Sequence, residues 1–204
     1  MAGRPDVSAA PAVALAIAVA LAATPAQTDP VSLPPTIDVR PDSHGASGEV
    51  SASIEINASP TRVWAVLIDC AAAPRLMVNV RSCRVLSHDP AGRWDVREQI
   101  TNASLLPAVR TVLRSDYDYP RSVRFHRIDG DFKVLEGRWL LEPLDGGTRT
   151  RVTYESRMTA PFAAPGFMVR AVLRKDLPRA LINLRQASEH PAAAPPRAMV
   201  ATAP

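Results

Sequence analysis

Residues 148–185, TRTRVTYESRMTAPFAAPGFMVRAVLRKDLPRALINLR, change their period halfway along. In the first part Val152, Tyr154, Ser156 and Met158 alternate with Arg151, Thr153, Glu155 and Arg157. That two-residue period belongs to a strand with one face turned to a core. Beyond 161–166 the spacing becomes helical. Val169, Val172, Leu173, Leu177, Ala180, Leu181 and Leu184 fall on one stripe, while Arg170, Arg174, Lys175, Arg179 and Arg185 lie mainly off it. Pro178 removes one backbone hydrogen bond, so a bend near Arg174 is expected. A long amphipathic helix that follows a run of strands predicts an α+β domain with the helix lying in the curve of a sheet.

The same alternation extends upstream. Strands are expected at 84–87, 93–101, 109–119, 122–128 and 132–142, separated by turn residues such as His88-Asp89-Pro90-Ala91-Gly92 and Asp129-Gly130-Asp131. Connections this short require antiparallel neighbours. Before them, Val50, Ala52, Ile54 and Ile56 mark a first half-buried strand. Ser59 followed by Pro60 opens a short helix through Val63, Trp64, Val66 and Leu67, and a second is expected near 71–77 around Pro74. The expected order is β-α-α-β6-α, with about seven strands, over residues 47–189.

The ends read differently. Residues 12–23 are an apolar run closed by small residues, the pattern of a secretory signal peptide spanning 1–26, with a membrane anchor as the alternative. Residues 27–46 contain four prolines and read as a linker; 190–204 are Ala- and Pro-rich and read as a disordered tail. The expected location is outside the inner membrane, in the periplasm. In such a compartment the two cysteines, Cys70 and Cys83, read as a disulfide, the alternative being two buried thiols.

The net charge of +4 raises nucleic acid as a partner, but the arginines are dispersed through the strands and the chain carries an export pattern, so nucleic acid is excluded. His44, His88, His126 and His190 are scattered, which predicts no metal site. Neither a nucleophile elbow nor a phosphate-cradling glycine loop occurs. No cofactor is expected.

The order of elements, together with Ala58-Ser59-Pro60 before Val63-Trp64-Ala65-Val66-Leu67 and Phe132–Trp139 leading into 148–155, resembles the START-like helix-grip superfamily. These are the polyketide cyclase/dehydrase and lipid transport proteins, also called SRPBCC. The run Leu135-Glu136-Gly137-Arg138-Trp139 is similar to the coenzyme-Q-binding START branch in particular. The resemblance spans about 140 residues and implies a curved antiparallel sheet that encloses an apolar pocket against the C-terminal helix.

Alternation nominates the side chains that would face such a pocket: Trp94, Val96 and Glu98 on one strand, Phe125 on another, Leu135, Gly137 and Trp139 on a third. Val152, Tyr154 and Ser156 follow on the last strand, and Val169, Leu173 and Leu177 on the helix. Gly137 would leave room between Leu135 and Trp139. A carboxylate at Glu98 among apolar neighbours would serve polar recognition or proton transfer, or else form an ion pair. Phe162, Phe167 and Met168 beside the helix arginines suggest transient contact with an anionic membrane. The expected function is a monomeric carrier of a hydrophobic small molecule, such as a lipid, isoprenoid quinone or polyketide-like compound. The alternative is a cyclase or dehydratase that uses the same cavity.

Overall fold

The computed structural model describes residues 33–42, 48–102, 108–160 and 165–190. The expected signal segment, the Ala/Pro-rich tail and Phe162 lie outside the described residues. One antiparallel sheet holds eight strands in the order β1-β2-β8-β7-β6-β5-β4-β3. In chain order these are β1 (Thr36–Arg40), β2 (Gly48–Ile56), β3 (Val80–His88) and β4 (Trp94–Thr101), then β5 (Val109–Asp118), β6 (Ser122–Gly130), β7 (Val134–Leu144) and β8 (Arg149–Thr159). The helices are α1 (Pro60–Ile68), α2 (Ala73–Leu76) and α3 (Gly166–Glu189). This is the expected helix-grip architecture with one strand more.

The extra strand comes from the segment read as a linker. Ile37 and Val39 alternate with charged residues, and they pair with Ala52 and Val50 of β2. Prolines on either side had hidden a strand that begins only after Pro35. β2 then pairs with β8 along its whole length, so the first and last strands of the expected domain are neighbours.

The core fills one end of the sheet's inner side. Ile56, Val63, Val152 and Leu181 are fully buried there, joined by Val50, Ile54, Trp64, Leu141 and Leu184. α3 runs unbroken through Pro178. Its C-terminal half is anchored by Arg185, which had been placed off the apolar stripe but is buried. Its Nε donates to the Glu55 carbonyl at 3.0 Å and its Nη2 to the Leu33 carbonyl at 2.5 Å. Those acceptors lie near the β1–β2 edge, beyond the reach of a single-helix pattern.

Cys70 and Cys83 form the disulfide, with Cα atoms 5.4 Å apart, inside the usual range. Cys70 sits in a single 3-10 turn after α1, and Cys83 in the edge strand β3. The bridge therefore pins the α1–α2 connection to the sheet.

Candidate functional site

The other end of the inner side is hollow. A cavity of about 260 Å³ lies between the sheet and the middle of α3. Its walls differ in chemistry.

One wall is apolar and comes from β6, β7, β8 and α3. Phe125, Leu135, Trp139, Tyr154, Leu173 and Leu177 all line it, together with Val123, Met158 and Ala180. The aromatic rings are layered: Trp139 and Tyr154 have centroids 4.4 Å apart, and Phe125 stacks on Tyr154 at 6.1 Å. Gly137 makes this possible, because it pairs with Phe125 across β6–β7 and a Cβ there would fall 2.7 Å from Phe125 Cζ. The room that Gly137 leaves is thus taken by the Phe125 ring. Burial pushes the Tyr154 phenol above its ordinary value.

The facing wall comes from β4 and β5. Arg97, Gln99 and Thr101 line it on β4, and Thr111, Leu113, Ser115 and Tyr117 on β5. This corrects the phase expected for β4. Trp94, Val96 and Glu98 lie on the opposite, solvent side of the sheet. There Glu98 accepts from Arg110 Nε at 2.7 Å and Arg84 Nη2 at 3.1 Å, and the Arg114 guanidinium stacks over Trp94 at 4.6 Å. The hydrogen bond from Arg110 holds the Glu98 carboxyl below its ordinary value against a smaller burial effect, with Arg84 adding to it. Long arginine stems shelter outward apolar groups, so apolar alternation alone pointed the wrong way.

What β4 sends inward is a buried ion pair. Arg97 Nε donates to Asp95 Oδ1 at 3.0 Å, and Arg97 Nη2 pairs with Asp95 Oδ2. The same guanidinium donates to the Tyr117 hydroxyl at 2.6 Å and the Ile68 carbonyl at 3.1 Å. The Tyr117 hydroxyl in turn donates to Asp95 Oδ2 at 2.7 Å. Burial pushes the Tyr117 phenol well above its usual range, against the pull of Arg97. For Arg97, burial works against the charge, and the hydrogen bond and charge of Asp95 overcome it, holding the guanidinium above its ordinary value. Ile68 ends α1, so its carbonyl has no partner within the helix; a cation there meets the negative end of the helix dipole. Trp64 of α1 packs edge-on against Tyr117 at 5.7 Å. The sequence carried one hint of this network: opposite charges two residues apart share a strand face.

The remaining nominated residues flank the cavity. Val152 and Ser156 are buried in the packed core beside it, and Val169 is half-buried on α3 away from the lining. The lining reaches the surface at exposed Val78, where α2 runs into β3, and this is taken as the mouth. Met77, Val78 and Asn79 form one lip, and Asp176 of α3 accepts from Asn79 Nδ2 at 2.7 Å across it. Asn183 Nδ2 donates to the Leu76 carbonyl at 3.1 Å and ties α2 to α3. Among the described residues no cluster of three or more His, Cys, Asp or Glu side chains could hold a metal ion.

Solved structures with this fold carry the comparison further. A STAR-related lipid transfer protein from Xanthomonas axonopodis matches with a TM-score of 0.65 at 18% identity, covering 76% of this chain and 94% of its own. A START superfamily protein from Mycobacterium smegmatis gives 0.61 at 20%, covering 69% and 97%. The Zhui aromatase/cyclase of Streptomyces sp. R1128 gives 0.55 at 16%, covering 69% and 90%. At these identities the likeness is one of fold. No curated protein matches the chain. The family model described as polyketide cyclase / dehydrase and lipid transport matches residues 56–185, from the end of β2 through the buried part of α3. The chain belongs to the polyketide cyclase / dehydrase and lipid transport family.

Proposed function

We propose that the protein is an exported, monomeric carrier that holds one hydrophobic small molecule, a lipid, isoprenoid quinone or polyketide-like compound, between its sheet and α3. The observation that carries this reading is the hollow itself: a well-formed domain leaves about 260 Å³ unfilled beside layered aromatic rings. Native interiors are otherwise close-packed, so space of this size with an apolar lining is a binding feature. Export is supported by the apolar leader and by the disulfide, which persists in oxidising compartments. Among the described residues no helix is long and apolar enough to cross a membrane.

Loading from a membrane surface fits the apolar side chains exposed on α3 and at Val78. Phe167, Met168 and Val172 are exposed at the start of α3 and Val78 on the lip, with Lys175 and Arg179 nearby on the same helix. Apolar tips flanked by cations suit an anionic bilayer. Mass spectrometry of protein purified from its native compartment tests the carrier reading. One apolar molecule per chain is the expected result. An empty protein that gains no Tm from a broad lipid panel would end it.

One observation favours the cyclase or dehydratase reading: Arg97 and Tyr117 both line the cavity within hydrogen-bonding distance of each other. Conversion of a reactive poly-β-ketone chain, lost in Tyr117→Phe while binding persists, would decide for it.

A further inference from the structure

The polar wall says what kind of molecule the cavity accepts. Thr111 lines it, is 2% exposed, and its Oγ1 has no hydrogen-bond partner among the described residues. A buried hydroxyl left unpartnered is costly. Gln99 stands directly opposite Thr111 in the β4–β5 register. Among the described residues its carboxamide has only a 4.0 Å contact, from Nε2 to Cys83 Sγ. Paired side chains on one sheet face come within about 5 Å at Cβ, so the two form one under-used, uncharged shelf. The neighbouring cation is committed. Arg97 is spent on Asp95, Tyr117 and the Ile68 carbonyl, and Asp176 at the mouth accepts from Asn79.

We propose, resting on the carrier reading, that the cavity selects a ligand whose buried end is an uncharged oxygen function, a hydroxyl or carbonyl, received by Thr111 and Gln99. An anionic head would have to draw Arg97 away from Asp95 and leave a carboxylate buried alone, which is strongly unfavourable. Among the described residues the one carboxylate in the lining, Asp176, stands on α3 against Asn79 and not on the β4–β5 shelf, so a cationic end would not be received by Thr111 and Gln99. The volume, about 260 Å³, sits below the roughly 300–1,000 Å³ of sites for drug-sized ligands. It fits a single-chain or compact ring body better than a two-chain lipid.

Displacement of a solvatochromic apolar dye by dodecane, dodecanol and dodecanoate at neutral pH tests this. Dodecanol displaces the dye at concentrations about tenfold below dodecanoate. Thr111→Val and Gln99→Leu each remove about fivefold to tenfold of dodecanol's advantage over dodecane and leave dodecane itself unchanged. Thr111→Ser retains the advantage. Dodecanoate binding as tightly as dodecanol overturns the proposal, as does a variant that weakens dodecane and dodecanol alike. A dye that never binds, with no response to any probe, overturns the carrier reading as well, so the two failures are told apart.

Discussion

The two walls of the cavity come from one continuous sheet, yet they were built by opposite rules. In β7 and β8 the inward positions are Leu135, Trp139, Leu141, Val152 and Tyr154, and the outward ones are charged, with Arg138 on Glu155 at 2.6 Å and Arg157 on Glu136 at 2.9 Å. In β4 the inward positions are Asp95, Arg97, Gln99 and Thr101, and the outward ones include Trp94, Val96 and Ile100. Apolar side chains go inward where they pack on other apolar groups. They can go outward where arginine stems cover them and the inward charges of Asp95 and Arg97 satisfy one another. The apolar half obtains its order from ring packing, the polar half from the Asp95–Arg97–Tyr117 network, with Gln99 and Thr111 left under-used beside it.

The largest effect that would separate the halves is expected at the buried pair. Arg97→Met leaves Asp95 buried without its cation and costs about 3–5 kcal/mol in denaturant unfolding. The double variant Asp95→Leu/Arg97→Met recovers most of that loss. If it recovers none, the network matters for more than charge balance. Next, replacing both Cys70 and Cys83 by Ala frees the edge strand of the polar half and costs about 3 kcal/mol in the chain-entropy picture, read from the same unfolding curves. A null result would mean that β3 is held by its ladder alone.

In the apolar half, Gly137→Ala sets a Cβ 2.2 Å from the Glu155 carbonyl oxygen and against the Phe125 ring. Overpacking of this kind costs about 1–3 kcal/mol and should disturb the aromatic near-UV circular dichroism. An unchanged spectrum and stability would contradict the ring-over-glycine packing.

The smallest effect is expected on the outer face. The Glu98 carboxyl is held below its ordinary value by Arg110. Its contribution is therefore present above the unfolded carboxylate value and lost as pH falls through the folded one. Glu98→Gln flattens the acid limb of the stability profile slightly, and added salt shrinks the difference. An acid limb identical in the two proteins would show that the outward pairs contribute nothing.

Legibility followed the same division. β7, β8 and the apolar stripe of α3 were readable because one face is apolar and the other charged, so phase and element type agree. The wall residues Phe125, Leu135, Trp139, Tyr154, Leu173 and Leu177 came from that agreement. β4 was readable as a strand but not in phase, since its inward positions are all polar and its apolar side chains lie on the outer face. β1 was hidden between prolines, and its pairing with β2 is a contact no local pattern announces.

By itself the sequence determined most element types, the antiparallel order implied by short connections and the long closing helix, because these follow from local periodicity, turn chemistry and composition. The cysteine pair stayed open between a bridge and two thiols until the structure joined it. Only the tertiary structure decided which face of β4 looks inward, that Arg97 closes the end of α1, that Arg185 is buried, and that space remains beside Trp139. Each of these depends on partners far apart in the chain. A polar side chain is stable inside only when its partners are there to meet it, and periodicity does not record where they stand.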